Sequence, residues 1–326
     1  MTTGLKCLIT TYSNAFLVSG GGEFELVQVC EALIAGGIQT DIYGPRSRPL
    51  AYYDFAMHFS LHPSGYTLLE AVRKDGKKVL LWPNVWWLEK PTAQETERIL
   101  AFIGLADYLL FKSKAERDNF VTHISAPPNK CLVVPTTILG GFVDQGDTSF
   151  AKTIVGTEKY LLCVGRVEPI KNQLEAIDIS RRLATPLVIL GGVGDTAYYQ
   201  ECKTVGGNLV KFLPVVQPRS ILLASLYAAC CAVVEVSLDP PGRSSLEAAL
   251  FRKPLLLRKS PWVQEVFGET VYKVTAPSLD SQSLIIASWL KDEEGKVGLA
   301  HKRISARHGS STALENFIQA VAYAIA

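Results

Sequence analysis

Short, unbroken apolar runs alternating with amphipathic stretches constrain this chain more than any other feature. Strands fit at residues 5–10 (LKCLIT), 38–43, 79–82 (VLLW), 108–111 (YLLF) and 131–134 in the first half. In the second half they fit at 160–164 (YLLCV), 187–190 (LVIL), 208–213, 231–236 (CAVVEV) and 254–257 (PLLL). A strand covered on one face alternates apolar with polar residues, whereas one buried on both faces reads as a continuous run. Such strands need helices on both sides, and helical spacing lies between them. It runs over 23–35, where Gly36 and Gly37 stop it, and over about 171–183, 196–204, 218–229 and 244–252. Thr92 with Glu95, and Ser113 with Glu116, are capping-box patterns that start two more helices. The expected fold class is α/β, with two Rossmann-like halves, each a parallel sheet between helical layers.

Residues 136–158 lack periodicity and carry Gly140, Gly141, Gly146 and Gly156, so they read as the linker between the halves. This divides the chain into a domain at 1–150, a second at 151–310 and a terminal segment at 311–326. A length of 326 residues suits two domains of about 150 each. The stretch 311–325 (STALENFIQAVAYAI) is an amphipathic helix with two open destinations: the first domain or its own.

Composition removes several classes. A content of 48% hydrophobic and 20% charged residues excludes a disordered chain, and a net charge of +2 gives no reason to expect a nucleic-acid partner. After residue 150, however, 20 Lys and Arg stand against 16 Asp and Glu, which suits a small anionic ligand. The seven cysteines form no C-x-x-C pair and read as buried reduced thiols of a cytoplasmic protein, so zinc is not expected. The N-terminus has no secretory-signal pattern, and no uncharged apolar run reaches about 18 residues, so no membrane span is expected. Peripheral contact with the inner face of a membrane stays open.

In doubly wound sheets, ligands sit at the carboxyl ends of the strands. The loop after 160–164 reads Gly165-Arg166-Val167-Glu168-Pro169-Ile170-Lys171-Asn172 and leads into a helix. Cations at a helix amino end oppose the helix dipole, and they make sense there when an anion lies between. A solvated pair of surface charges is the alternative. The loop after 231–236 reads Asp239-Pro240-Pro241-Gly242-Arg243-Ser244-Ser245-Leu246-Glu247. Gly242 permits close backbone approach, and the amides that follow are free to meet an anion. Ser244 and Glu247 also form an S-x-x-E capping box, so local pattern does not separate a capping carboxylate from a ligand-binding one.

The order of these motifs is what carries information. G-R-x4-K-N after a strand, the Gly-rich Gly191-Gly192-Val193-Gly194-Asp195, and Asp239-x7-Glu247 with Gly242 between its acidic ends follow one another here. The pattern closely resembles the second domain of the retaining glycosyltransferases with the GT-B fold, family 4, and with the first half the resemblance spans roughly residues 5–270. In the first half, Gly20-Gly21-Gly22-Glu23 matches that family's glycine-rich loop after its first strand. The resemblance implies two Rossmann-like domains facing across a cleft. It also implies transfer of a sugar from a UDP- or GDP-linked donor to a glycan, glycolipid or small-molecule acceptor. Arg166, Lys171, Gly21, Gly22, Gly242, Arg243, Ser244 and Ser245 would meet the donor diphosphate, and Glu247 the ribose. Asp239 would face the donor sugar, where the family has Glu. His58 and His62 compete for a position near the reacting sugar, His62 being favoured, and Trp86 and Trp87 would line the acceptor side. No D-x-D occurs, so neither a metal nor another cofactor is expected.

Three rivals remain at this stage. Gly192-x-Gly194-x-x-Ala197 matches a dinucleotide fingerprint, yet NLVKFLPVV about 20 residues on offers no acidic residue for a ribose. The others are a sugar-nucleotide epimerase of the same fold and a catalytically silent sugar-nucleotide-binding partner, which the shorter Asp239 keeps open.

Overall fold

The computed structural model describes residues 4–17, 20–139, 141–275 and 295–326; Gly140 of the linker lies outside them. The chain forms two compact units, Met1–Ile138 with Ser310–Ala326, and Leu139–Gly309. Each holds a six-stranded sheet whose strand pairs are all parallel.

The first sheet comprises β1 (Lys6–Thr10), β2 (Gln39–Ile42), β3 (Phe55–Phe59), β4 (Lys78–Trp82), β5 (Tyr108–Phe111) and β6 (Cys131–Val133). Their order is β2-β1-β3-β4-β5-β6. The continuous apolar runs divide by alternate residues between two cores, as strands covered on both faces must. Cys7, Ile9, Phe55, Met57, Leu80 and Trp82 enter one core, while Leu8, Ala56, Val79 and Leu81 enter the other. Helix α1 (Gly21–Ala35) covers the first core with Leu26, Val29, Cys30 and Leu33, one apolar stripe at helical spacing.

The C-terminal helix Ser311–Ile325 packs in that same core through Phe317, Ile318, Val321 and Ala324. Lys78 Nζ donates to Ile325 O at 2.7 Å. A Cβ at Gly36 would lie 2.2 Å from Ile318 Cδ1, so only glycine leaves room for this helix beside the end of α1. Of its two open destinations, the helix occupies the first unit.

Helices α2 (Tyr66–Lys74), α3 (Ala93–Leu105) and α4 (Lys114–His123) follow β3, β4 and β5. The Thr92–Glu95 box is complete: the Thr92 hydroxyl accepts from Glu95 N–H, and Glu95 accepts from Thr92 N–H. At α4 the Ser113 hydroxyl accepts from Glu116 N–H, while the Glu116 carboxylate reaches Lys112 N–H.

The segment read as a linker is partly helical. Helix α5 (Thr148–Val155) starts at Asp147, whose carboxylate accepts from the Ser149 and Phe150 amides, and ends at Gly156 with φ of 87°. Ala151 is fully buried, and a Cβ at Gly146 would meet Ala228 Cβ at 2.7 Å. The second unit therefore begins at Leu139 rather than after residue 150.

Its sheet comprises β7 (Leu161–Val164), β8 (Leu187–Leu190), β9 (Val210–Leu213), β10 (Ala232–Glu235), β11 (Leu255–Arg258) and β12 (Tyr272–Val274). The order is β12-β11-β10-β7-β8-β9. Helices α6 (Gln173–Arg182), α7 (Thr196–Gly206), α8 (Ile221–Ala229), α9 (Arg243–Leu250) and α10 (Pro261–Phe267) alternate with these strands. Among the described residues, no helix is long and apolar enough to cross a membrane.

Candidate functional site

Strand order reverses at β7, whose neighbours are β8 on one side and β10 on the other, so the loops leaving β7 and β10 diverge and open a crevice. The residues after these two strands meet there. Leu238 N–H donates to Ile170 O at 2.8 Å, and Asn172 Nδ2 donates to Val236 O at 3.3 Å. Lys171 Nζ lies 2.5 Å from Asp239 Oδ2, both side chains about a quarter exposed or less. Asp239 Oδ1 is buried with no hydrogen-bond partner.

Helix α9 opens beside this pair. Its N-cap, Gly242, has φ of 67°, a region that favours glycine, and no side chain caps the first turn. The Ser244 and Ser245 hydroxyls instead donate to Pro241 O and Gly242 O, at 3.0 and 2.8 Å. The capping-box reading of Ser244 and Glu247 is overturned here. The helix starts at Arg243, and Glu247, only 5% exposed, accepts from Arg243 Nε at 3.0 Å. Burial raises the Glu247 carboxyl above its ordinary range against the pull of Arg243, with Arg219 a further favourable charge.

Arg166 is held more loosely, its Nε 3.9 Å from Glu168 Oε2. The backbone around it is fixed: Gln173 Nε2 donates to Arg166 O, and Val167 bridges Val193 of the next loop. A Cβ on Gly191 would lie 2.1 Å from Gly165 O, and one on Gly194 would lie 2.8 Å from Arg166 Nε. Gly191 and Gly194 thus let two strand-end loops touch, whereas a Cβ at Gly192 would meet nothing within 4 Å.

In the first unit the reversal lies between β1 and β3. His62, exposed in the loop after β3, packs against Tyr12 after β1, ring centroids 4.9 Å apart and planes tilted by 37°, and its Nδ1 lies 2.9 Å from Ser64 Oγ. Tyr12 hydrogen-bonds to Glu23, which also accepts from Gly20 N–H at the start of α1. Gly21 opens that helix, and a Cβ at Gly22 would sit 3.2 Å from Asn84 Nδ2.

His58 is not at this surface. It is a fully buried residue of β3, its Nδ1 2.8 Å from Thr10 Oγ1 and its Nε2 packed under Gly65, which corrects its reading as a residue of the loop surface. Burial lowers its pKa to about 4. The unfolded chain, with an ordinary histidine near 6.5, therefore binds this proton more readily. Stability present above pH 6.5 is lost as pH falls toward 4, by about 2 kcal/mol between pH 7 and pH 5. Urea unfolding at both pH values, compared with a His58→Asn variant that should lack this component, measures it.

Trp87 packs on Phe120, ring centroids 5.2 Å apart, its backbone N–H donating to Asn119 Oδ1 and its carbonyl accepting from Asn119 Nδ2, and its side chain stays half-buried. Trp86 is half-buried as well.

Sequence reasoning passed over three residues of the second-unit site. Glu235 ends β10 fully inside, Tyr227 donates to Ser244 O at 3.1 Å, and Arg219 lends its charge to Glu247. Among the described residues, no group of three or more His, Cys, Asp or Glu side chains is arranged to hold a metal ion.

Structures of similar fold span nearly the whole chain. The Anabaena protein HepE, solved in complex with UDP-glucose, is 16% identical with a TM-score of 0.74, covering 98% of this chain and 100% of its own. The sucrose-phosphate synthase of Thermosynechococcus elongatus is 14% identical with a TM-score of 0.73, covering 98% of each. WaaG, a glycosyltransferase involved in lipopolysaccharide biosynthesis, is 12% identical with a TM-score of 0.64, covering 98% of this chain and 99% of its own. These likenesses establish the fold class, α/β of the GT-B type with two parallel six-stranded sheets. No curated protein matches the chain by sequence. The family model of glycosyl transferases group 1 matches residues 144–306, half of the chain and all of the crevice described above, and on that match the chain belongs to this family of glycosyltransferases.

Proposed function

We propose that this glycosyltransferase moves a sugar from a UDP- or GDP-linked donor to a glycan, glycolipid or small-molecule acceptor, with retention of configuration and without a metal ion. The observation that carries the reading is the meeting of Lys171, Asp239, Arg243, Glu247 and the uncapped amino end of α9 at one topological switch point. The departing nucleoside diphosphate needs its developing charge stabilised. In this reading Lys171, Arg166, Arg243 and the amides of Ser244 and Ser245 supply that stabilisation. Each charged hydrogen bond contributes about 1.5–3 kcal/mol. Glu247 takes the ribose hydroxyls, and the unpartnered Asp239 Oδ1 is an acceptor for a hydroxyl of the donor sugar. His62 and Trp86 are the first-unit candidates for the reacting sugar and the acceptor.

The Lys171–Asp239 contact favours a second reading, a catalytically silent sugar-nucleotide-binding protein, because the aspartate spends one oxygen on the lysine. Transfer assays separate the two. A sugar nucleotide at 100 times its dissociation constant should stabilise the protein by about 2.7 kcal/mol, which identifies the donor by thermal shift. With that donor, sugar release or transfer should continue in excess chelator. Binding without turnover would favour the silent protein, and an absolute need for manganese or magnesium would refute metal independence.

A further inference from the structure

Glu235 is a carboxyl group without an assigned task. It is the last residue of β10, 5% exposed, and neither of its side-chain oxygens has a hydrogen-bond partner. A buried polar group left this way is costly, and a buried charge more so. Its place in the fold is specific, because β10 flanks the switch point and Glu235 lies where the strand gives way to the loop carrying Asp239.

The groups facing it come from every element around. Lys171 reaches in from the turn after β7, and Cys163 lies on β7 itself. Asp239 lies on the loop beyond, Ser244 and Glu247 on α9, and Tyr227 on α8. On β11 the register partner is Leu257, which offers nothing polar. Three carboxyl groups therefore share Lys171 and Arg243, with the charge of Arg219 acting on Glu247, and the first two cations are engaged: Lys171 with Asp239 at 2.5 Å, Arg243 with Glu247 at 3.0 Å.

We propose that Glu235 is a positioning residue beneath the donor site that must hold a proton for the nucleoside diphosphate to bind. As the neutral acid it leaves Lys171 free to turn from Asp239 to an incoming phosphate. As a carboxylate it would compete for that cation and repel the diphosphate a short distance away. When it ionises, the proton leaves to solvent and the cluster gains one negative charge. Burial favours the neutral form, pushing the group up to about 8, with Glu247 and Asp239 adding to the effect and the Ser244 hydroxyl and Lys171 opposing it. Donor binding and protonation are thus coupled through one site, and coupling of this kind is reciprocal.

The proposal rests on the sugar-nucleotide reading of the site, and the test has arms that separate the two. The first is calorimetric titration with UDP and with GDP from about pH 7.2 to about pH 8.8, above the ionisation of the terminal phosphate and below that of the base. The dissociation constant of the wild type should rise at least about fivefold, and in a Glu235→Gln variant the ratio between the ends of the range should stay within about twofold. A flat wild-type profile, or a rise that survives in the variant, overturns the proposal. The second arm needs no ligand. Because the folded chain holds this proton more tightly than the unfolded chain, the wild type should lose stability relative to Glu235→Gln as pH rises from 5 through 8. A stability difference that ignores pH also overturns it. If neither nucleotide binds at any pH while the second arm shows the titration, the donor reading fails instead.

Discussion

A variant carrying Arg166→Ala and Lys171→Ala together is expected to lose roughly a hundred- to ten-thousand-fold in affinity for whichever of UDP or GDP the protein prefers, two charged hydrogen bonds being removed at about 1.5–3 kcal/mol each. The two positions are not equivalent. Arg166 is half exposed and loosely paired with Glu168, so its loss removes an attraction and little else. Lys171 holds Asp239 across the switch point, and without it the carboxylate stands unpaired where phosphate would arrive. Lys171→Ala should therefore be the more damaging single change, and adding Asp239→Asn should recover part of the loss. The fold should survive, because both lysine and aspartate keep some contact with water and pairs of this kind contribute little to stability. Isothermal titration alongside circular dichroism checks both statements. Undiminished affinity in a folded double variant would remove these residues from the site.

Both cations stand out in the sequence because position and charge conflict there. Two basic residues entering a helix oppose its dipole, and the conflict marks a place where something negative is wanted. The sheets were legible for a different reason. Runs such as VLLW and LVIL have no polar face, so they commit the chain to strands covered on both sides. At His58 the resemblance proposed a position near the reacting sugar, and the strand buries it. In FAMHF every residue is inside, and a histidine at the fourth position reads as a strand end only when the boundary is already known. Helix α5 was missed because its eight residues give too short a period to stand out from the glycines around it. Asp147 and Gly156, a cap before and a left-handed residue after, were the available signal.

Glu235 could have been found from sequence as well, since an acid closing an apolar strand run in a doubly wound sheet points at the ligand edge. What sequence could not supply was pairing. S-x-x-E at 244–247 looks like a capping box because the rule sees spacing alone. It does not see that Gly242 takes a positive φ, that the helix begins one residue before Ser244, or that Arg243 falls on the same face as Glu247.

Glu247→Gln should now separate two roles, ribose ligand and partner of Arg243. The change keeps size and leaves an amide that still offers an oxygen to Arg243 Nε, so the contact with the guanidinium weakens without leaving it empty. A carboxylate that accepts two ribose hydroxyls loses a charged acceptor, and donor affinity should fall about ten- to a hundredfold, a figure drawn from charged hydrogen bonds. Stability is expected to change by less than about 1 kcal/mol. Burial already disfavours the charged form of Glu247, so neutralising the group removes a desolvation cost while it removes an ion pair. Arg243→Ala is the companion measurement. It leaves Glu247 buried without its partner and should cost stability more than the glutamine does. If Glu247 serves only Arg243, the pattern reverses: Glu247→Gln and Arg243→Ala would both destabilise, and the affinity of the glutamine variant, measured at saturating folded fraction, would match the wild type. Denaturant unfolding and titration calorimetry on the same two proteins decide between these outcomes.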